Sequence, residues 1–237
     1  MERGAGVSGR LYGLGLGPGD PELLTVKAVR ILASVPVVAY PALEGGDSFA
    51  RSIAAAHLRP GVREIVMRVP MSPGPQATLA AYDKAAEAVA AELDAGSDVA
   101  VLCQGDPFFY GSFMYVHARL AGRYDVEVVP GVTSLTAVAA VSGRPLVARN
   151  ETLAVLPATL SEAALAGRLA DTDAAAIVKL GRHLPKVRAA LARIGRADDA
   201  VYVERASLPQ QRVATLAEAP DEAPYFSMVL VPGRGRR

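Results

Sequence analysis

The sequence predicts an α/β protein of two domains, and three observations carry that reading. Short apolar runs alternate with amphipathic stretches through the first 130 residues, the grammar of a mostly parallel sheet with helices on both faces. Glycine-bearing turns follow three of those runs, where open α/β sheets place their ligands. Beyond that point strand candidates crowd together with fewer helices between them, which predicts a second α/β domain on a mixed sheet. The 237 residues have room for two domains of ordinary size, divided near Val129 into 1–129 and 130–237.

Taken in order, residues 11–16 form a glycine-broken strand. Asp20-Pro21-Glu22 then supplies a capping acid, a proline suited to a first helical turn and a second acid near the positive end of the dipole, so a helix is expected over 22–33. A fully apolar strand follows at 35–40, a short helix at 48–57 closed by Pro60-Gly61, and a third strand at 62–67. The longest helix covers 76–93, ends at Ala95-Gly96 and leads into the most apolar strand, 99–103. A helix at 112–120 stops at Gly122, and a strand at 126–129 runs into Pro130-Gly131. Thr133 or Ser134 caps a small-residue helix reaching Val141, which Gly143 and Pro145 end. Later strands are expected at 152–156, 174–180, 200–204, 212–215 and 226–231, with helices at 161–169 and 184–194. Residues 233–237 read as a frayed basic tail.

Composition narrows the function classes. At 51% hydrophobic and 21% charged residues the chain can bury a core, yet no apolar run approaches the ~18 residues of a membrane span. Twenty-five Lys and Arg against twenty-four Asp and Glu give no basic footprint for nucleic acid or a membrane surface. Residues 1–9 lack the apolar core of a secretory signal, so a cytoplasmic protein is expected. The single Cys103 excludes an intrachain disulfide and reads as a small buried hydrophobe, and His57, His117 and His183 have no metal-ligand spacing, so no protein-bound metal is expected.

Three turns remain as candidates: Gly13-Leu14-Gly15-Leu16-Gly17-Pro18-Gly19-Asp20, Gly105-Asp106-Pro107 and Pro130-Gly131-Val132-Thr133-Ser134. Glycine lets backbone approach a ligand without a Cβ in the way, and each turn feeds a helix N-terminus with free N–H groups. The dinucleotide fingerprint fails, because its third glycine position holds Pro18 or Asp20 and the second strand ends at Tyr40 instead of an acid. A Gly-Lys-Ser/Thr phosphate loop and a Gly-x-Ser-x-Gly elbow are also absent.

The stretch Leu11-Tyr12-Gly13-Leu14-Gly15-Leu16-Gly17-Pro18-Gly19-Asp20-Pro21-Glu22-Leu23-Leu24-Thr25-Val26-Lys27-Ala28 closely resembles the opening of the tetrapyrrole methyltransferases. So do Gly105-Asp106-Pro107-Phe108-Phe109-Tyr110-Gly111-Ser112, Val129-Pro130-Gly131-Val132-Thr133-Ser134, Lys179-Leu180-Gly181-Arg182 and Val203-Glu204-Arg205-Ala206-Ser207 with Gln211-Arg212-Val213, in the family's order over nearly the whole chain. Within the family, Tyr110-Gly111-Ser112-Phe113-Met114-Tyr115 and Glu151-Thr152-Leu153-Ala154-Val155-Leu156-Pro157 are most like the branch that methylates precorrin-2 at C20 in cobalamin synthesis. Uroporphyrinogen-III methyltransferases usually carry Gly-Gly-Asp-Pro and a following Phe-Gly-Arg, where this chain has Gln104 and Tyr110-Gly111-Ser112.

The resemblance implies two α/β domains with a ligand trough between them, a homodimer, S-adenosylmethionine as methyl donor and a tetrapyrrole acceptor. It places Pro18, Gln104, Gly105, Asp106, Phe109, Thr133, Ser134, Leu180, Ala206 and Ser227 at the donor. Asp106 reads equally as a turn-forming acid before Pro107. For an apolar macrocycle fringed with carboxylates, Phe108, Tyr110, Phe113 and Tyr115 are candidate floor, or two of them are core residues of the next helix. The cation candidates are Arg144, Arg149, Lys179, Arg182 and Arg205. No residue is assigned as a general base. Competing readings are a methyltransferase of the same fold acting at another ring position, on a cobalt-bearing ring or on a different acceptor, and a non-catalytic tetrapyrrole-binding protein.

Overall fold

The structure, a computed structural model, describes residues 8–43, 45–70 and 75–233, so the expected tail lies outside the described residues but for Gly233, and the amino-terminal stretch but for residues 8 and 9. The chain divides into two compact units, Met1–Thr133 and Ser134–Arg237.

The first unit is an all-parallel five-stranded sheet made of β1 (Leu11–Gly15), β2 (Val37–Leu43), β3 (Arg63–Val69), β4 (Val99–Cys103) and β5 (Val126–Val129), in the order β3-β2-β4-β1-β5. Strand alternation sorts the core into two layers. Leu14, Leu16, Val38, Ala100 and Leu102 pack under α1 (Val26–Leu32) and α2 (Phe49–Ala54). Leu11, Val37, Ala39, Val99 and Val101 pack under α3 (Pro75–Asp94) and α4 (Phe113–Leu120). Gly13 lies on the second face, where an added Cβ would sit 2.4 Å from the Phe113 ring. The missing side chain lets α4 lie close on β1.

Two boundaries differ from the sequence reading for visible reasons. The helix expected over 22–33 is split. Asp20 caps a single 3-10 turn, Pro21–Leu23, Leu24 is extended, and Thr25 caps α1 afresh by accepting from the Ala28 N–H at 3.1 Å. Leu23 folds back on the first glycine turn, its carbonyl oxygen 3.2 Å from where a Gly17 Cβ would stand, so the chain must turn again before the helix can run. Thr25→Ala should therefore lower stability by about 1 kcal/mol with donor binding intact, which thermal denaturation beside calorimetry would check. The second strand starts later and runs through Pro41 to Leu43. Proline is tolerated there because pairing with β4 ends at Ala39 and only β3 flanks the rest.

The second unit is a mixed sheet of β6 (Leu153–Pro157), β7 (Ala174–Val178), β8 (Val201–Glu204), β9 (Arg212–Thr215) and β10 (Ser227–Val231), in the order β6-β7-β10-β8-β9. Only β6 and β7 pair in parallel. One face carries α6 (Glu162–Ala170) and α7 (Leu184–Arg193) over Ala175, Ile177, Tyr202 and Val229. Helix α5 (Ser134–Ser142) packs against β8 and β10. The strand expected to reach residue 180 stops at Val178, because Lys179 takes φ +58° and turns the chain out of the ladder.

Candidate functional site

Topology marks the place in the first unit. Strands β1 and β4 are neighbours, yet β1 feeds α1 on one face and β4 feeds α4 on the other. The two exits part above the carboxyl ends, the position of the ligand crevice in open α/β sheets.

The loops above that crevice are held by backbone. Past the strand ends the Leu16 N–H donates to the Cys103 carbonyl at 2.9 Å, and Gly17 and Gly105 exchange N–H···O bonds of 3.2 and 2.7 Å in an antiparallel bridge. The third turn presses in from β5. A Cβ on Gly131 would lie 2.0 Å from the Gly105 carbonyl oxygen and 2.8 Å from the Gly15 Cα, all backbone. Two of the motif glycines thus make room for protein: Gly13 for Phe113 and Gly15 for Gly131.

Asp106 ties the second turn to the third. Its Oδ1 accepts from the Phe108 N–H at 2.9 Å and its Oδ2 from the Gly131 N–H at 3.0 Å. The turn-forming role is therefore present, with a cross-loop clamp that the sequence did not foretell. The Gln104 side-chain amide approaches the carbonyl of buried Pro18 at 3.5 Å, linking the second loop to the first. Pro18, Gln104, Gly105, Asp106 and Phe109 are thereby gathered at the carboxyl edge of one sheet, with half-buried Thr133 following β5.

The aromatic candidates separate. Phe113 is fully buried, a core residue of α4. Phe108, 48% exposed, lies against Phe113 and His117 with ring centroids 5.9 and 5.0 Å away. Tyr110 is 49% exposed at φ +55°, edge-on to Phe109. Tyr115 stacks on Tyr82 of α3 at 4.7 Å, so it serves the α3–α4 contact. Burial pushes the Cys103 thiol up, and its sulfur lies 3.9 Å from the Ser112 hydroxyl, which suits a packed thiol and no nucleophile.

In the second unit the carboxyl ends of β6, β7 and β8 and the amino end of β10 share one edge, since β10 runs antiparallel to β7 and β8. Lys179, Leu180, Arg182, Arg205, Ala206 and Ser227 all lie there. Arg149 belongs to the loop entering β6 at its amino end, and Arg144 follows α5, so neither follows the carboxyl end of a strand. Leu180 departs from its expected role in one respect: its side chain is fully buried in the core with Leu184 and Ile177, leaving only its backbone to meet a ligand. Ala206 is likewise buried, Ser134 is exposed at the start of α5, and the Ser227 hydroxyl donates to the Pro224 carbonyl at 2.6 Å.

Backbone strain falls on these segments. The non-glycine residues at positive φ among those described are Tyr110, Arg149, Lys179, Arg205 and Ser207. Each such conformation costs of order 1 kcal/mol or more, and strained backbone clusters at ligand sites. Four of the five, Tyr110, Arg149, Lys179 and Arg205, are sequence candidates for the acceptor.

Residues 10–220 match the family model described as Tetrapyrrole (Corrin/Porphyrin) Methylases. The chain belongs to the tetrapyrrole methylases. Precorrin-2 C(20)-methyltransferase of Sinorhizobium sp is 51% identical over 239 residues, covering 97% of both chains. Cobalt-precorrin-2 C(20)-methyltransferase of Salmonella typhimurium is 35% identical over 229 residues, covering 95% of this chain and 97% of that protein. Uroporphyrin-III C-methyl transferase from Thermus thermophilus, solved in complex with S-adenyl homocysteine, is 31% identical with a TM-score of 0.67, over 94% of this chain and 96% of that one.

Among the residues that the sequence resemblance places at the donor in this tetrapyrrole methylase, Asp106 is the one carboxylate. Among the described residues no three His, Cys, Asp or Glu are arranged to hold a metal ion, and no helix is long and apolar enough to cross a membrane. Sequence reasoning assigned no role to Glu204, whose buried carboxylate at the end of β8 accepts from the Tyr202 hydroxyl at 2.9 Å. Burial first, and that hydrogen bond second, push the Tyr202 phenol up. The signal available was an acid placed where strand alternation demands an inward residue.

Proposed function

We propose that this methylase transfers the methyl group of S-adenosylmethionine to C20 of metal-free precorrin-2 in cobalamin biosynthesis, giving precorrin-3A, S-adenosylhomocysteine and the proton lost from C20. The observation that carries this reading is 51% identity over 97% of the chain to a precorrin-2 C(20)-methyltransferase, against 35% to a cobalt-precorrin-2 enzyme. The donor's sulfonium supplies a leaving group on an already activated carbon. A meso carbon conjugated to pyrrole nitrogens is nucleophilic without prior deprotonation, so the protein must align and dehydrate.

The chain's own residues fit that task. The glycine turns offer N–H and C=O groups for adenine edges, ribose hydroxyls and the amino-acid end of the donor. Each Asp106 oxygen accepts one backbone N–H and retains a lone pair for an ammonium. In the first unit Pro18, Gln104, Gly105, Phe109 and Thr133 are assigned to the donor, and in the second unit Ser134, the Leu180 backbone, Ala206 and Ser227. Phe108 and Tyr110 give apolar floor, and Lys179, Arg182 and Arg205 meet acceptor carboxylates. Holding the reacting carbon about 3–3.5 Å from the methyl, in line with the C–S bond, supplies roughly 7–11 kcal/mol in favourable intramolecular models.

Incubation with labelled donor and each acceptor, followed by NMR of the product, tests the reading. The label is expected at C20 of precorrin-2. Preference for the cobalt-bearing ring would overturn the metal-free assignment, and a label on another carbon would overturn the C20 assignment. Donor binding without transfer to either ring would favour a tetrapyrrole-binding protein.

A further inference from the structure

Among the described residues the buried polar side chains are Ser48, Arg196 and Glu204. Ser48 caps α2, and Arg196 is engaged by Asp199 and by the carbonyls of Asp173 and Pro232. Glu204 is the one acid of the three, and it stands at the same edge of the second sheet as Lys179 and Leu180.

Its surroundings are a graded set of donors. Buried Tyr202, two residues back on the same strand face, donates its hydroxyl to Oε1 at 2.9 Å. Arg212, opposite Glu204 in the β8–β9 register, brings Nη1 to 3.5 Å from Oε1, and Arg205 brings Nη1 to 3.6 Å from Oε2. A carboxylate taken this far out of water needs compensating charge. The ion pairs that supply it are long, so neither guanidinium is used up in a bidentate clasp.

The two arginines differ. Arg212 is moored at its other end, where Nη2 donates to the Glu218 carbonyl at 2.7 Å. Arg205 sits at φ +47°, its N–H donating to the Phe226 carbonyl at 2.7 Å and its carbonyl accepting from the Leu208 N–H at 3.0 Å. Strained backbone pinned at both ends aims one side chain in a set direction. That side chain is 41% exposed, at the edge that also bears Lys179 and Arg182.

We propose that Glu204 is a positioning residue, holding the Arg205 guanidinium as the receptor for a carboxylate of the tetrapyrrole acceptor. The inference rests on the proposed function for the identity of the acceptor and for the contact of Arg205 with its fringe, and adds the buried acid that aims that side chain. A buried acid that served folding alone would explain the Tyr202 bond but would leave acceptor affinity untouched.

The test is steady-state kinetics with precorrin-2 varied at saturating donor, for wild type, Glu204→Gln, Arg205→Ala and the double variant, with S-adenosylhomocysteine affinity from calorimetry and Tm for each. Gln keeps an oxygen for Tyr202 and removes the charge that holds the arginines. Each single variant is expected to raise KM for precorrin-2 about tenfold, with kcat and donor affinity within about twofold, the span of one lost charge-assisted contact. The double variant should be no worse than Arg205→Ala, because Glu204 acts through that side chain. Additive effects, or a loss of donor affinity matching the loss of acceptor affinity, would overturn the proposal. Should Glu204→Gln not fold, an unchanged KM in Arg205→Ala alone would overturn it and a raised KM would support it. A wild-type enzyme that leaves precorrin-2 unmethylated would overturn the proposed function, and this inference with it.

Discussion

Gly131→Ala is expected to lower affinity for S-adenosylhomocysteine by about 100-fold or more and to cost roughly 1–3 kcal/mol of stability. The new Cβ would stand 2.0 Å from the Gly105 carbonyl oxygen, and its other near neighbours are the Gly15 Cα and carbonyl carbon. None of these is a side chain that can swing aside. One of the three loops must move by more than an ångström, and each is tied to another: Gly105 to Gly17 by two backbone bonds, and Gly131 to Asp106 by its N–H donating to the side-chain carboxylate. The displacement lands on the groups proposed to meet the donor. Gly122→Ala is the control, since a Cβ there meets nothing within 4 Å and its φ is not positive. Calorimetry and thermal denaturation on both variants would decide, and wild-type affinity in Gly131→Ala would show that the loops are not the donor site.

The fold was legible because hydrophobic periodicity is a property of short windows. The unbroken apolar run Val99–Cys103 and the amphipathic stretch 161–169 specify their elements locally, and the structure has them within a residue of where the pattern put them. The misreadings arose where a distant contact decides. Asp20-Pro21-Glu22 does start a turn, but Leu23 packs back on Gly17, so the helix waits for the second cap at Thr25. Residues 174–180 are apolar almost throughout, yet the left-handed Lys179 ends the strand at Val178, and no local propensity marks a lysine for that conformation.

The candidate site was legible in a different way. Motif resemblance pointed to loops, and topology then gathered those of each unit at one sheet edge. It could not say which face of a loop is used. Leu180 carries a motif position and buries its side chain in the core, and Phe113 carries another and fills the space over Gly13. Glu204 escaped notice because its meaning lies in Tyr202, Arg205 and Arg212 converging on one carboxylate, a relation that exists only after β8 and β9 have paired.

Asp106→Ala separates the clamp from the contact. The variant loses the acceptors of the Phe108 and Gly131 N–H groups, and hydrogen bonds to a charged group contribute about 1.5–3 kcal/mol each. The sheet beneath is untouched and the Gly17–Gly105 bridge remains, so the protein should fold, with Tm lowered by several degrees. Donor affinity is expected to fall about 10- to 100-fold. Asp106→Asn then divides the cause. Its amide oxygen can still accept from the Phe108 N–H and preserve the turn, but its NH2 cannot accept from Gly131, and it has no charge for an ammonium. If loop geometry alone matters, Asn should recover part of the affinity in step with the Tm. If the charge meets the donor directly, Asn should recover Tm while affinity stays as low as in the alanine variant. Donor affinity unchanged in Asp106→Ala would remove the residue from the site, and with it the argument that the clamp shapes the crevice for a ligand.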